Sequence, residues 1–325
     1  MVYTLINKLK LKKICLSSIR IRLIEEALAE EYFKQEIRTP IHLSIGQEFV
    51  ASSICNFLSK NDFAISHHRS HAHFLAKGGS LKKFFAELYG KKSGCSKGNG
   101  GSMHLVDLSK NFLGATAIVG NSIPVGAGYA YSLKLNKKKS KVCIFVGDGS
   151  TEEGVFYETM NFIALKELPV IIFCENNQYS VFTHISKRRP RNVKINKIVN
   201  SLGLKSFFLD SSKPLEYLSK LKKILHENKN QPIFIEVLTY RYNEHTGPKK
   251  ASSYDYSNLK KLNYWKKNDP VDELTNYLIN KKIINNKNLK NFIRKVNKEI
   301  NNSIKFAKLS RPPNYKKFIK EYGVK

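Results

Sequence analysis

The sequence predicts an α/β fold built on a doubly wound, mostly parallel sheet, followed by a helical C-terminal extension. Three observations carry that prediction. First, the run 142–146, "VCIFV", is apolar throughout, too short for a helix and bounded by turn residues, which is the pattern of a strand buried on both faces. Second, a helical stripe and then a second such run at 170–174, "VIIFC", complete strand, helix and strand within about thirty residues, the length of a βαβ unit. Such a unit implies parallel strands and a right-handed crossover. Third, the alternation continues through "KSFFLD", a helix around "PLEYLSKLKKILHEN" and the strand "PIFIEVLTY".

The remaining elements follow in chain order. The start, "MVYTLINKLKLKKICLSSIRIRL", has six basic residues and no acid, a composition that suits a transit peptide. It lacks an uninterrupted apolar core and runs straight into the helical pattern "IRLIEEALAEEYFKQ", so it is read as the first helix of a cytoplasmic protein. From about 51 to 85 the pattern is helical around a His-rich loop, "HHRSHAH", and the glycine-rich "GCSKGNGGSMH" follows. "GATAIVGNSIPVGAGYAYSLKL" reads as a loop and a helix whose small residues pack close to a neighbour. After the solvated turn "NKKKSK" and the first strand, residues 151–168 place Val155, Phe156, Thr159, Met160, Ile163 and Ala164 on one helical face. Ser150 and Glu153 have capping-box spacing at the start of that helix, and Pro169 stops it. From 269 onward the chain is Lys- and Asn-rich helix with weaker apolar stripes. The expected organisation is therefore a domain 1–268 and a peripheral helical extension 269–325, with no internal repeat.

Bulk properties exclude several classes. A chain of 325 residues can bury a full core. No apolar run is long enough to cross a bilayer, so a transmembrane reading fails. The five cysteines are odd in number and nowhere spaced Cys-x-x-Cys, so neither a disulfide framework nor a zinc knuckle follows and reduced thiols are expected. The formal charge of +30 suits nucleic acid, an anionic membrane surface or an acidic partner. The excess is mostly lysine, however, spread along the whole chain amid abundant Asn and Ile, as a compositionally biased genome produces. A nucleic-acid partner is not expected, and a basic nucleic-acid-binding protein stands as the alternative from another class.

In open α/β sheets ligands bind outside the carboxyl ends of the strands. Two polar signals fall there: Gly147-Asp148-Gly149 after the first strand and Glu175-Asn176-Asn177 after the second. Asp148 and Asn177 are hard oxygen donors on strands expected to be neighbours, which suits a Mg²⁺ ion that keeps phosphate oxygens among its ligands. Gly147 and Gly149 let the backbone turn and approach a phosphate, and the helix opening at Ser150 would aim N–H groups at it. Glu152 and Glu153 oppose a bare phosphate and favour a metal-neutralised one. A lone Gly-Asp-Gly is often only a turn; the Asn-Asn at the end of the next strand makes the pair specific. A nicotinamide or adenosylmethionine site would want Gly-x-Gly-x-x-Gly here, and Gly147, Gly149 and Gly154 miss that spacing. The histidines His67, His68, His71 and His73 could form a zinc site or a solvated loop, but no Cys or carboxylate sits at ligand spacing beside them.

Taken together, "HLSIGQE", "AELYGKKSGCSKGNGGSMH", "IVGNSIPVGAG", "GDGSTEEGVFYETMNFIALKELPVIIFCENNQYS" and "YRYNEHTGP" resemble the α subunit of the thiamine-diphosphate-dependent first component of 2-oxo acid and acetoin dehydrogenases, from about residue 20 to about 315. The resemblance implies the thiamine-diphosphate-binding fold, thiamine diphosphate and Mg²⁺ as cofactors, and oxidative decarboxylation of a 2-oxo acid such as pyruvate. It implies acyl transfer to lipoamide or another acceptor; acetoin dehydrogenase and transketolase-like carboligase chemistry are alternatives. A β subunit would complete the site in a heterotetramer of two α and two β chains and would supply the glutamate that protonates the cofactor's aminopyrimidine. A lipoyl-bearing acyltransferase is the possible further partner. Carried over by resemblance, Asp148, Asn177 and the backbone carbonyl of Tyr179 are Mg²⁺ ligands, and Gly149, Ser150 and Arg69 meet the diphosphate, beside Gly147, which the turn itself offers as cofactor-binding. His68 stands where many relatives have tyrosine, Val119 meets the aminopyrimidine through its backbone, and His42 and His245 line the reaction centre. Asn243-Glu244-His245-Thr246 departs from the His-Gly-His-Ser of many pyruvate enzymes. Ser252 and Ser253, in "KKASSYDY", are read as part of an ordinary flexible loop rather than a phosphorylation switch.

Overall fold

A computed structural model describes residues 6–251, 258–314, 316, 319, 320 and 323; Ser252 and Ser253 lie outside the described residues. Helices α1 (Lys8–Tyr32) and α2 (Glu48–Phe57) precede strand β1 (Phe63–His67), and α3 (His71–Ala76) and α4 (Leu81–Leu88) lead to β2 (Phe112–Thr116). Helix α5 (Ser122–Leu135) runs into β3 (Val142–Gly147), which α6 (Gly154–Leu165) joins to β4 (Val170–Asn176). A small hairpin, β5 (Tyr179–Ser180) and β6 (Thr183–His184), is followed by α7 (Ile195–Ser201), β7 (Lys205–Asp210), α8 (Pro214–Glu227) and β8 (Ile233–Leu238). Helices α9 (Leu259–Lys267), α10 (Pro270–Asn280) and α11 (Asn286–Leu309) come last.

The six longer strands form one sheet in the order β2-β1-β3-β4-β8-β7, and every pairing in it is parallel. Period-two alternation explains why β3 and β4 read as continuous apolar runs. Cys143, Phe145, Ile171 and Phe173 enter one core, with Ile233, Ile235 and Val237 of β8. Val142, Ile144, Val146, Val170, Ile172 and Cys174 enter the other, under α5, α6 and α7. The sheet is thus covered on both faces, as a doubly wound fold requires. The β3–β4 register runs from Val142↔Val170 to Gly147↔Glu175, so Asp148 and Asn177 emerge one and two residues past the last pair.

Several local expectations are corrected. The stretch 51–85 contains β1, because "FAISH" is short and carries Ala64 and Ser66 at fully buried positions, so it lacks the apolar signal of β3. The helix after Asp148 starts later than predicted. Asp148–Glu152 form a 3₁₀ turn, and α6 opens at Gly154 behind Glu153, which makes no side-chain cap. Thr151 Oγ1 donates to the Asp148 carbonyl at 2.7 Å and tightens the turn, so the Ser150–Glu153 capping box does not form. That helix ends at Leu165, and Glu167 takes a left-handed φ of 43° ahead of Pro169.

The C-terminal helices carry weak stripes yet join the main core through Val271, Leu274, Leu278, Val296 and Ile300. They pack on α1 and α4, and Arg22 of α1 ties them down by pairing with both Glu48 and Asp269 at 2.9 Å. The glycine-rich segment folds around one carboxylate: Glu87 accepts from the backbone N–H of Ser96, Gly98, Gly100 and Gly101. All five cysteines are free thiols. No helix among the described residues is long and apolar enough to cross a membrane.

Candidate active site

The chain leaves β1 for β2 on one side and returns to β3 on the other, so the order of connection reverses between β1 and β3. The carboxyl ends of strands at such a reversal leave a crevice. Here a cleft of about 90 Å³ is lined by His67, His68 and Arg69 after β1, by Gly147, Asp148, Gly149 and Ser150 after β3, and by Glu175, Asn177 and Tyr179 at and beyond β4. Val119, Arg241 and His245 close its rim. Of the predicted site residues, only His42 is not in this lining; its ring meets those of His68 and His245 at 4.8 and 5.1 Å. A larger cavity, about 680 Å³, opens over the carboxyl halves of β7 and β8 around Arg189, Lys194, Phe208 and Glu236 and contains none of the predicted residues. Chemistry, and not size, singles out the smaller one.

Asp148 is 1% exposed. Burial raises its carboxyl pKa, and the Arg188 guanidinium, with Nη2 2.5 Å from Oδ2, opposes that rise. Asn177 is oriented by a chain of side chains that sequence reading did not find. Glu175 accepts from Gln47 Nε2 at 2.9 Å, and its other oxygen lies 3.1 Å from His73 Nε2. A carboxylate only accepts, so the Gln47 amide must turn its nitrogen to Glu175 and its oxygen to Asn177 Nδ2, 3.0 Å away. Asn177 Oδ1 then takes the Tyr179 N–H at 3.0 Å and keeps a second lone pair. At the far end the His73 ring stacks on Phe145 at 3.8 Å, with Nδ1 2.8 Å from Ser66 Oγ.

The two glycines differ. A Cβ on Gly149 would lie 2.8 Å from Ser180 Oγ, so it would be crowded by packing within the chain. A Cβ on Gly147 would meet nothing within 4 Å, and its φ of −89° is ordinary for any residue. The space above Gly147 is not needed by the fold, which is what a backbone approached by a ligand looks like. One carboxylate oxygen, one amide oxygen and that open backbone fit a magnesium ion with a diphosphate. Gly147 to Ser150 sit at the strand end and in the 3₁₀ turn, so the α6 N-terminus itself is set back from the cleft.

The opposite wall is cationic. Arg69 Nη1 donates to the Leu43 carbonyl at 2.7 Å, and its Nη2 lies 3.1 Å from the His245 carbonyl and 3.3 Å from His245 Nδ1. Arg241 Nη1 reaches the same Nδ1 at 3.2 Å. A guanidinium only donates, so His245 Nδ1 accepts and the ring proton belongs on Nε2. His42 Nε2 lies 3.0 Å from Thr246 Oγ1, and its Nδ1 is buried without a hydrogen-bond partner. Burial, then Arg69 and neighbouring groups, holds these imidazoles neutral: His68 is pushed down to about 3 and His245 to about 2, and His42 is lowered further still. The ligand atoms of His42, His68 and His245 lie within 4.8 Å of one another. With two guanidinium groups against His245, this cluster suits an anionic group better than a cation. The zinc alternative from "HHRSHAH" does not form: His71 turns to Glu25 and Ser102, and His73 to Glu175 and Ser66.

Gln47, Glu175, Arg188 and Arg241 are the site residues that spacing did not reveal. The available signal was their placement in polar breaks at strand and helix ends, as in "SIGQE" and "FCENN".

A family model described as "Dehydrogenase E1 component" matches residues 17–316. Among curated proteins, the pyruvate dehydrogenase E1 component subunit alpha of Rickettsia bellii is 33% identical over 297 residues, covering 90% of each chain. That of Rickettsia felis is 34% identical over the same length and coverage. The mitochondrial subunit alpha-2 of Arabidopsis thaliana is 33% identical over 316 residues, 94% of this chain and 78% of that protein.

Proposed function

We infer the activity from membership: the chain belongs to the dehydrogenase E1 component family, as an α subunit of the 2-oxo acid dehydrogenase type, a thiamine-diphosphate-dependent oxidoreductase. On that premise its reaction is the oxidative decarboxylation of a 2-oxo acid such as pyruvate, with the acyl group passed to lipoamide or another acceptor. Mg²⁺ is the metal, a β subunit completes the site, and the enzyme acts in the cytoplasm. The single observation that carries this reading is the pair of hard oxygens, Asp148 and Asn177 Oδ1, at a cleft whose floor at Gly147 is bare backbone.

Asp148, Asn177 and the Tyr179 carbonyl would hold the metal, and Gly147, Gly149, Ser150, His68 and Arg69 would surround the diphosphate. Val119, partly exposed on the rim, offers its backbone to the aminopyrimidine. When bound, the cofactor supplies a nucleophilic carbon and a sink for the electrons of the broken bond. The chain's own residues supply positioning and protons. His245 presents Nε2–H while Arg69 and Arg241 fix its ring, and the arginines' charge favours a carboxylate substrate. His42, steadied by Thr246, stands behind it. A cleft of about 90 Å³ encloses one end of such a cofactor only, against the ~300 Å³ or more of a site that encloses a whole ligand. On this reading the rest is covered by a β subunit, in a heterotetramer of two α and two β chains. The helices from Asp269 onward act as a brace and not as a second catalytic domain.

The test is reconstitution with a candidate β subunit, a transketolase-like chain from the same source. Release of labelled CO₂ from carboxyl-labelled pyruvate and longer 2-oxo acids is measured with thiamine diphosphate and Mg²⁺, with a lipoyl domain or an artificial oxidant as acceptor. Turnover that needs both chains and both cofactors supports the reading; turnover by this chain alone, or none with any 2-oxo acid, overturns it. Because Asn243-Glu244-His245-Thr246 departs from the pyruvate pattern, acetoin cleavage and carboligation are scored in the same panel.

A further inference from the structure

Arg188 stands where a cation belongs. It lies between β6 and α7, and its Nε donates to the Thr183 carbonyl at 3.0 Å. Nη2 reaches Asp148 Oδ2 at 2.5 Å, and Nη1 pairs with Glu152. The guanidinium is nearly buried, and the adjacent Arg189 holds the same turn by donating to Thr151 Oγ1 at 2.8 Å. A carboxylate as deeply buried as Asp148 needs a compensating charge. In this arrangement the compensating charge comes from within the chain.

We propose that Arg188 is an internal counter-cation that occupies Asp148 and is displaced by the divalent ion, so that loading the metal loosens, without freeing, the hold of the 183–189 segment on the cleft. This rests on the reading of Asp148 as a metal ligand. An oxygen engaged in a short charge-assisted bond to a guanidinium does not at the same time give that electron pair to a small dication, and the two cations repel across it. Glu152, partly exposed, keeps a partner for Arg188 after displacement, so the exchange costs one of its two ion pairs. The hairpin turn just before this segment reaches the reaction centre, since the Val181 carbonyl accepts from Arg241 Nη2 at 3.4 Å and Arg241 holds His245. Metal loading and the setting of His245 are thereby linked, and by reciprocity each biases the other.

The experiment is Mn²⁺ binding to the full chain, read by electron paramagnetic resonance, with and without inorganic pyrophosphate, for wild type, Arg188→Gln and Arg188→Lys. Removing a competing charged hydrogen bond should tighten Mn²⁺ alone by about tenfold to a hundredfold in Arg188→Gln, with Arg188→Lys between. The melting temperature of the metal-free Gln variant should fall, and Mn²⁺ should restore it. Unchanged or weaker Mn²⁺ binding in Arg188→Gln overturns the proposal, as does intact Mn²⁺ binding with weakened pyrophosphate binding, which would make Arg188 an anion clamp. If Arg188→Gln does not fold, Arg188→Lys decides by the same sign of change. A wild type that takes up no Mn²⁺ even with pyrophosphate overturns the metal reading of Asp148 as well, whereas failure of the variants alone leaves that reading standing.

Discussion

Replacing Gln47 by leucine separates the orientation of Asn177 from general stability. Gln47 is 1% exposed and spends both ends of its amide, one on Glu175 and one on Asn177. Leucine fills similar volume but removes both bonds. The bond to the Glu175 carboxylate contributes roughly 1.5–3 kcal/mol and the neutral one roughly 0.5–1.5, and stranding a buried donor such as Asn177 Nδ2 falls toward the upper end of such costs. Glu175 keeps His73, so a loss of about 2–4 kcal/mol in urea denaturation of the metal-free chain is expected. The functional effect is distinct. With no acceptor on Nδ2, only the Tyr179 N–H at Oδ1 still orients the Asn177 amide, so, on the reading of Asn177 as a metal ligand, its oxygen is held less firmly and Mn²⁺–pyrophosphate affinity should fall about 10–100-fold. Gln47→Glu keeps an acceptor opposite Asn177 while setting two carboxylates face to face at the Glu175 end. It should lose stability comparably yet retain most of the affinity. If both variants lose affinity in proportion to stability, or if Gln47→Leu binds like wild type, the polarity argument for Asn177 is wrong.

The glycines of the turn offer a second dissociation. Gly149→Ala should cost about 1–3 kcal/mol, because its Cβ would lie 2.8 Å from Ser180 Oγ, and Ser180→Gly should recover it in the double variant. Gly147→Ala should leave the melting temperature unchanged but weaken pyrophosphate binding measured by calorimetry, since only a ligand competes for that space. Arg22→Met leaves Glu48 and Asp269 buried without their shared cation, so a loss of about 3–5 kcal/mol in urea is expected, with faster proteolysis of the C-terminal helices. The pH dependence follows from His68, which burial and then Arg69 and Arg241 hold at about 3 when folded, against an ordinary 6.5. The unfolded chain binds a proton that the folded one refuses. Stability is therefore complete above about pH 6.5 and falls as pH drops toward 3, by about 1.4 kcal/mol per pH unit for each such histidine. His68→Gln should reduce that slope by one proton's share between pH 6.5 and 5, and an unaltered slope would refute the neutral assignment.

What could be read from the sequence divides along a physical line. Strands β3 and β4 were legible because both their faces are buried, so every position had to be apolar; β1 was not, because it is short, Ala64 adds little apolar signal and Ser66 is spent on the site's polar chain through His73. Asp148 was legible because a carboxylate flanked by residues without side chains is a local anomaly. The capping box failed because Thr151, one residue from Ser150, had a nearer acceptor in the Asp148 carbonyl, and spacing alone cannot rank two such local bonds. Gln47 and Glu175 lie 128 residues apart and Gln47 and Asn177 lie 130 apart, so no periodicity or motif length connects them. Their connection has a consequence that residue types do not contain. The sequence names asparagine as an oxygen donor, yet an asparagine presents nitrogen as readily as oxygen. The choice is made twice over: the Tyr179 N–H can only donate, Glu175 can only accept, and the second constraint, passed through the Gln47 amide, agrees with the first in leaving Asn177 Oδ1 as the atom with an unused lone pair.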